Sequence, residues 1–582
     1  MNDSKYVLGF HGNYFHKPSK RHNTSACLLK NGKVVASVSE ERLTRKKGEG
    51  AYPNNSIKEV LRIGNININD VSYVAFSGAH PIDVNYNSIK AYFSTFIDTK
   101  VWPSKSKLKV FKSYLSAFRY SRKTLFEFED VKKPLFFTNH HLSHAASAYY
   151  TAPFEKSLVL TLDGGGDGLD GSVYYGDKGK LTKIFTLPSF QSPCTMYSGL
   201  THDLGFKRLR HEGKLTGLAA YGDASVDSII QNEIISYSTK KKRFISKQIA
   251  EHHKNLNALS PYYGKLIDSV KKEDLAAHLQ RTFEKVVLDF VQHAYEYTTD
   301  KGFKIENIAL AGGAFANVRL NQKIYELGMF KDIFVFPAMG DDGLSVGAAL
   351  YTYYSEEKII NKKDSIIGAP FFGAKHDQNE IQKTLDSYKL DYKKISNIEE
   401  KIGELLANGK VIARFEGGME FGPRALGNRS LIASPFDKSI NDWLNKQLNR
   451  TEFMPFAPSI LAEKADDFFS DLTDQEISAA NHMTITCNVR SEMQKKIPAV
   501  VHVDGTARPQ MVHKEITPKY HAIIKSFERH TGIPLILNTS FNMHEEPIVN
   551  TPDEAVRAFL QSKVDFLAIE DFLVEQIKDK DE

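Results

Sequence analysis

His140 and His144 lie four residues apart in the stretch NHHLSHAASAYY, Asn139 to Tyr150. If the run from His141 to Tyr150 is helical, the two imidazoles sit one turn apart on one face. Two imidazoles at that spacing can hold one metal ion. A pair of hydrogen-bonded core histidines at a helix start accounts for the same spacing at least as well. Two acidic residues in glycine-rich settings downstream, Asp163 in LTLDGGGDG and Asp341 in AMGDDG, favour the metal. Further along, Arg424, Arg429, Arg450 and Arg508 fall in loops that interrupt apolar strands rather than on helical faces. Arginines among glycines suit bidentate phosphate recognition. Asn538, Ser540 and Asn542 in NTSFN add neutral donors for a phosphate or a carbonyl oxygen. Surface arginines explain Arg424 poorly, because GPRALG offers almost no other polar side chain. The expectation is an anion site for a nucleotide and a second phosphorylated compound.

These residues need a scaffold. Tyr6 to Phe10, Ser25 to Leu29 and Val34 to Ser39 read as strands, the last two joined by Asn31-Gly32, a tight-hairpin signal. The loop after the first strand holds His11, His16, Lys20, Arg21 and His22, and EERLTRKKGEG follows the third. Ser56 to Ile63 reads as a helix, Val71 to Ser77 and Leu135 to Thr138 as strands, and residues 82 to about 133 as mostly helical decoration. Leu158 to Leu162 and Ser172 to Tyr175 are strands around a glycine turn. That turn holds Gly164 and Gly165, where backbone N–H groups can approach a phosphate; a plain hairpin turn is the alternative. In HEGKLTGLAAYG, Glu212 and Lys214 are either an ion pair or substrate contacts.

From Asp223 to about Lys304 the pattern reads as helical, clearest from Leu275 to Ala294. Strand Ile308 to Ala311, the pair Gly312-Gly313 and a helix from near Ala316 form a phosphate-binding arrangement, sharpened by Asn317 and Asn321. Ile333 to Phe336 is the next strand. The first 350 residues thus repeat a hairpin-plus-glycine-loop pattern followed by strand–helix units. Two similar α/β halves with a cleft between them, the actin-like and sugar-kinase architecture, are expected. The polar run SEEKIINKKDSI, residues 355 to 366, marks a domain boundary, with units 1–360 and 367–582. In the second, Val411 to Phe415 and Pro534 to Leu537 are strands, and Ser439 to Leu448 and Lys519 to His530 are helices. Thr551-Pro552-Asp553-Glu554 is a helix start.

Bulk properties fit this picture. A chain of 582 residues exceeds one hydrophobic core, and 41% hydrophobic with 25% charged residues is ordinary for a soluble protein. No apolar run is long enough to span a bilayer, and MNDSKYVLGFHGNYFHK lacks a signal-peptide core, so a cytoplasmic location is expected. Three scattered cysteines, Cys27, Cys194 and Cys487, suggest neither disulfides nor a thiolate zinc site, which leaves N and O ligands for any metal. The net charge of +6 includes basic clusters at Lys105, Lys107, Lys109 and Lys112 and at Lys240 to Arg243. A solvated lysine-rich surface is favoured over a nucleic-acid patch.

The chain resembles the O-carbamoyltransferases that act on nodulation factors, cephamycin and tobramycin. The resemblance spans nearly its whole length through HNTSACLLKNGKVVASVSEERLTR, HHLSHAASAYY, LDGGGDG, EGKLTGLAAYG, GGAFANVRLN, GDDGLSVGAA, GGMEFGPRALGNRS, FMPFAPSIL, DGTARPQ and NTSFNMHEEPIV, in order. It implies an actin-like (duplicated ribonuclease-H-like) first domain that transfers a carbamoyl group, and a YrdC-like second domain that makes carbamoyl-adenylate from ATP and carbamoyl phosphate. It implies His140, His144, Asp163 and Asp341 as ligands of a divalent metal, Fe(II) in family members, with Mg accompanying ATP. Asp342 competes with Asp341; the sister motif, with its ligand two residues before the glycine, favours Asp341. His22 matches a candidate general base, a role an imidazole suits, and Lys47 a nearby basic residue. Gly312, Gly313 and Asn317 match nucleotide contacts; Arg424, Arg508 and Ser540 match contacts to carbamoyl phosphate and ATP. The chain has His22-Asn23 where the family commonly has His-Asp, and Arg450 and Met454 where many members have a lysine and Phe-Arg-Pro.

The implied partner is a small-molecule or glycan acceptor with a free hydroxyl, without membrane or nucleic acid; a homodimer is compatible. Two other readings are a tRNA threonylcarbamoyl-type transferase, disfavoured by the two-domain fusion and GPRALGNRS, and a non-catalytic actin-like nucleotide-binding protein, which has no need of the arginine loops or NTSFN.

Overall fold

Apolar strands with glycine-rich ends build three main sheets. The computed structural model describes residues 4–13, 22–78, 90, 125–188, 191–223, 234–246, 266–449, 454–472 and 477–576. His16, Lys20, Arg21, the Lys105–Lys112 cluster and Arg450 lie outside the described residues.

The first sheet contains β1 (Tyr6–His11), β2 (Ser25–Lys30), β3 (Lys33–Ser39), β4 (Tyr73–Ser77), β5 (Leu125–Phe128) and β6 (Val131–Thr138), in the order β3-β2-β1-β4-β6-β5. β1, β2 and β3 form an antiparallel meander, and β4 and β6 continue in parallel. Asn31 and Gly32, at φ 51° and 82°, make the β2–β3 turn that the sequence predicts. The second sheet repeats the plan with β7 (Ser157–Gly166), β8 (Leu169–Asp177) and β9 (Lys180–Leu187). A separate hairpin, β10 (Ile235–Ser238) and β11 (Arg243–Ser246), precedes β12 (Asn307–Ala311) and β13 (Asp332–Val335). The second sheet runs β13-β12-β7-β8-β9, with β7, β12 and β13 parallel. Each half therefore has a three-stranded meander followed by parallel strands, the duplicated actin-like plan expected.

The last parallel strand of each half leads into a helix, His140–Thr151 after β6 and Leu344–Glu356 after β13. The two helices pack so closely that a Cβ on Gly347 would fall 1.8 Å from the Ser143 carbonyl oxygen. Both helices are almost wholly buried between the sheets.

Two stretches differ from the helical expectation. Within 82–133, residues 125–133 belong to the β5–β6 hairpin; LFEF alternates exposed and buried, a period of two. Among the described residues of 223–304, the helix is Lys272–Asp300, and Ile235–Ser246 is a hairpin whose fully buried Phe244 packs on Phe290 of that helix.

The remaining sheet has eight strands: β14 (Tyr392–Lys394), β15 (Ile412–Phe415), β16 (Arg429–Ala433), β17 (Ala457–Leu461), then, after the small ladder β18 (Cys487–Asn488) and β19 (Thr506–Ala507), β20 (Gln510–Val512), β21 (Leu535–Ser540), β22 (Phe566–Ile569) and β23 (Phe572–Glu575). Its order is β14-β23-β22-β15-β16-β21-β17-β20, mixed in direction, an α/β unit. Helices Ile398–Ala407 and Pro518–Thr531 cover one face with an apolar layer that includes Ile402, Ile523 and Phe527. Thr551 caps helix Pro552–Ser562, accepting from the Glu554 amide at 3.3 Å. Among the described residues no helix is long and apolar enough to cross a membrane.

Candidate active site

The Asn139 side chain caps the helix His140–Thr151, accepting from the amides of His141 at 3.0 Å and Leu142 at 3.4 Å. The cap starts the helix at His140 and puts His140 and His144 on one face. Asp163 enters from β7, and Asp341 from the turn before helix Leu344–Glu356. One ligand atom from each of the four residues lies within 4.8 Å of the others. His140 Nε2 is 2.6 Å from Asp163 Oδ2 and 3.8 Å from Asp341 Oδ1. His144 Nε2 is 3.4 Å from Asp163 Oδ2 and 3.6 Å from Asp341 Oδ1. His144 is fully buried, yet neither ring nitrogen makes a hydrogen bond. A buried and a partly buried carboxylate converging on an imidazole without hydrogen-bond partners fit a divalent cation with N and O ligands. His22 Nε2 lies 4.0 Å from Asp341 Oδ2 at the rim.

Gly312 makes this meeting possible. Its amide donates to the Met339 carbonyl at 2.8 Å, two residues before Asp341. A Cβ there would sit 2.3 Å from the Leu162 carbonyl oxygen, one residue before Asp163, and φ is 109°. Gly312→Ala should therefore pry the two acidic loops apart. We expect metal affinity to fall at least about tenfold with near-native circular dichroism, measured by titration with Fe(II) or Mn(II).

The fourth histidine here, His141, is absent from the sequence reading. Its Nε2 contacts the Leu169 carbonyl and its Nδ1 the Thr161 hydroxyl, both at 3.0 Å. A carbonyl can only accept, so Nε2 carries the proton. Burial pushes this ring's pKa down to about 4, keeping it neutral beside the ligands. His11, expected in a loop, is the buried last residue of β1, its ring centroid 6.4 Å from that of His140.

Burial works against charge on His140, but Asp163 and Asp341 outweigh it and raise its pKa to about 9. Both carboxyls, although buried, are held well below the ordinary range by these histidines. Without metal, His140 therefore keeps its proton through neutral pH, and a cation must displace it. Apparent metal affinity should rise with pH up to about 9, with proton release on binding; calorimetry in buffers of different ionisation heat checks this. Burial raises Asp342, with the Glu41 charge adding, to about 7, unlike its neighbour.

The glycine loops serve the ligands more than a phosphate. Gly165 donates its amide to Asp163 Oδ1 at 2.6 Å, and the turn itself falls at Asp167-Gly168, φ 51° and 81°. Neither Gly165 nor Gly312 has its N–H free for a nucleotide, which corrects both expectations. Gly164 and Gly313 are exposed with no atom within 4 Å of a Cβ position, open enough for a ligand to approach. Asn317 caps helix Val318–Tyr325, and its amide nitrogen donates to Gln280 Oε1 at 2.8 Å. Glu212 accepts from Ser198 Oγ at 2.6 Å and from the Leu209 amide at 2.7 Å.

In the eight-stranded sheet, Asn538 is the node. Its amide nitrogen donates to the Ala425 carbonyl at 3.2 Å, Ser459 Oγ at 3.2 Å and Gln510 Oε1 at 3.1 Å. Arg424 precedes Ala425, Arg508 lies two residues before Gln510, and Ser540 two after Asn538. The node therefore gathers all three into one corner, each half-buried. Asn538 itself is buried, its donor group engaged by protein and its Oδ1 without a hydrogen-bond partner, so it organises the corner. Glu420, unnoticed in the sequence, shapes the arginine loop: Oε1 accepts from the amides of Leu426 and Asn428 at 2.9 Å and Arg429 at 3.0 Å.

Arg429 corrects another expectation. It begins β16 and is fully buried, with Nη1 donating to the Glu416 carbonyl at 2.6 Å and the Asn428 carbonyl at 3.0 Å, Nη2 to the Gly417 carbonyl at 3.1 Å, and the guanidinium 3.5 Å from the Phe415 ring centroid. Burial lowers its pKa, offset in part by Glu420, Glu570 and Glu416, to about 10, so it stays charged. It pins a loop and is not open to an anion. Arg429→Met should cost about 3–5 kcal/mol by leaving buried carbonyls unpaired, read as a lower melting temperature.

The two regions touch at these loops. Arg42 Nη2 donates to the Gly422 carbonyl at 2.9 Å, and a Cβ on Gly422 would meet the Pro337 carbonyl oxygen at 2.8 Å, four residues before Asp341. The arginine loop thus lies against the loop that carries a candidate metal ligand.

Comparison with known proteins identifies the family. Residues 16–350 match the family described as carbamoyltransferase N-terminus, and residues 403–576 match carbamoyltransferase C-terminus. The chain belongs to the carbamoyltransferase family and is a transferase. It is 32% identical to an uncharacterised protein of Synechocystis over 98% of this chain and 96% of that protein. It is 31% identical to nodulation protein NolNO of Sinorhizobium fredii over 95% of this chain and 79% of that protein. Among solved structures, full-length HypF in its phosphate- and nucleotide-bound form is 15% identical, covering 61% of this chain and 56% of that chain at a TM-score of 0.33.

Proposed function

We propose that this carbamoyltransferase is ATP-dependent and acts in two places: activation at the Arg424–Arg508–Ser540 corner, and transfer at the His140–His144–Asp163–Asp341 cluster. The observation that carries the reading is the contact between the two, Gly422 of the arginine loop on Pro337 of the acidic loop. The division of labour follows units 1–360 and 367–582.

Exchanging the phosphate of carbamoyl phosphate for AMP, with pyrophosphate released, balances only with one water. Water cleaves carbamoyl phosphate to carbamate and phosphate, a carbamate oxygen then attacks the α-phosphorus of ATP, and the bond to pyrophosphate breaks, leaving carbamoyl-adenylate. Arg424 and Arg508 supply the charge that phosphates need, and Ser540 a neutral donor. An acceptor hydroxyl then attacks the carbamoyl carbon, the bond to the AMP oxygen breaks, and AMP leaves with the electron pair. His22 at the rim takes the hydroxyl proton, with Lys47 assigned as a supporting basic residue. A bound divalent metal, Fe(II) or another, would be held by the four ligands and supply Lewis-acid charge beside the adenylate phosphate. The acceptor is a small molecule or glycan with a free hydroxyl, and the setting is cytoplasmic.

Supplying carbamoyl phosphate, ATP and a panel of hydroxylated sugars and aminoglycosides tests this. Each carbamoylated product should be accompanied by one AMP and one pyrophosphate; ADP in place of AMP would contradict it.

A further inference from the structure

We propose that the short helix Glu40–Thr44 is a coupling bracket. Arg42 and Arg45 hold the two activation loops against the transfer site, so that water is kept from the activated carbamoyl group. The proposal rests on the activation-and-transfer reading above and assigns it two positioning residues.

Three observations carry it. The helix is rigidly mounted although it is only five residues long. Glu40 is buried, and its Oε1 accepts from the Asn55 amide at 3.2 Å and Asn55 Nδ2 at 2.7 Å. Its Oε2 accepts from the Ser56 amide and Ser56 Oγ, both at 2.7 Å, so one carboxylate ties the helix to the start of Asn54–Ile63. The Glu40 amide donates to the Thr24 carbonyl at 2.8 Å, and the Thr24 amide to the Glu49 carbonyl at 3.0 Å, which fixes the end of the loop bearing His22.

Second, its arginines reach both activation loops, several hundred residues away. Arg42 donates to Gly422, two residues before Arg424. Arg45 Nη1 donates to the Ile548 carbonyl at 2.9 Å and lies 3.1 Å from Glu554, and Nη2 donates to the Pro547 carbonyl at 2.7 Å. Pro547 and Ile548 belong to the segment that continues from Ser540. Arg45 is the left-handed C-cap of the helix, φ 61°, its amide donating to the Glu41 carbonyl at 2.9 Å.

Third, Arg42 is 4% exposed, and its Nη1 makes no hydrogen bond. Its Nε lies 3.6 Å from Glu41 Oε1 and its Nη2 donates to Gly422, so the buried guanidinium is anchored on its own helix while it reaches the arginine loop.

The bracket matters because carbamoyl-adenylate is a mixed anhydride. If the loops part, a water oxygen attacks the carbamoyl carbon, the bond to the AMP oxygen breaks, AMP leaves with the electron pair, and carbamic acid decays to carbon dioxide and ammonia. Excluding water from such an intermediate is a recognised role of closed sites.

The test needs no acceptor. Full-length, metal-loaded enzyme receives ATP and carbamoyl phosphate alone, and two rates are followed: pyrophosphate exchange into ATP, and net release of AMP with ammonia. Arg42→Met, Arg45→Met and the double variant should keep exchange within about twofold, while AMP release rises roughly tenfold in the double variant, the scale of a misplaced reacting group. Arg45→Lys should return release most of the way. Unchanged release with unchanged exchange overturns the bracket, as does loss of exchange with a native melting temperature, which would put the arginines in activation itself. If the double variant does not fold, Arg45→Met decides, its side chain being 25% exposed. Absence of exchange in the unaltered enzyme would instead bring down the activation reading.

Discussion

Replacing His140 by alanine is expected to abolish metal binding and carbamoyl transfer while carbamoyl phosphate-dependent pyrophosphate exchange survives. His140 is the ligand that both carboxylates address, 2.6 Å from Asp163 and 3.8 Å from Asp341. Removing it leaves two acids with only His144 between them, and metal affinity should fall by more than about 100-fold, the upper end of what loss of a mere supporting contact costs. The activation corner is built on another sheet, from β17, β20, β21 and the loop before β16, so nothing in it depends on this imidazole. Loss of exchange in a well-folded variant would break the proposed division of labour. Metal analysis on the purified variant and the exchange assay give the two readings.

Arg424→Ala and Arg508→Ala should produce the opposite pattern. Each removes a guanidinium from the corner organised by Asn538, and exchange should drop by about 10²–10³-fold, as for a charge-stabilising donor at a reacting group. Metal content should stay normal, because the ligands hang from β7, the helix His140–Thr151 and the loop after β13. Intact turnover in either variant would remove the need for a second-region active corner and reopen the non-catalytic reading. The two sets of variants form a double dissociation that a single shared site could not give.

How much of this was legible in the sequence depended on range. The Asn31-Gly32 hairpin, the strand–glycine–helix units and the Thr551 cap are local, and each emerged where expected, within a residue or two. The His140–His144 pair is ambiguous by itself, the resemblance implies the set of four, and the structure brings them within 4.8 Å. Arg429 was misread as a ligand contact. A buried arginine and a ligand-binding arginine look alike in a glycine-rich loop, and only the tertiary carbonyls of Glu416, Gly417 and Asn428 separate them. Gly312 and Gly165 were misread for a related reason: a glycine needed for close backbone packing carries the same letter as one that faces a phosphate. Arg42 and Arg45 stand out in EERLTRKKGEG without a legible role, and Glu420 carries no signal at all, because their partners are either distant in sequence or backbone groups, which leave no residue pattern. The helical expectation for 223–304 extended a true period beyond Leu275 into a segment whose alternation, in RFIS, is that of a strand.

The most direct test of the central claim is pyrophosphate–ATP exchange by the unaltered enzyme, with and without carbamoyl phosphate, in the absence of any acceptor. The account predicts exchange only when carbamoyl phosphate is present. No exchange under either condition, or equal exchange under both, would contradict it.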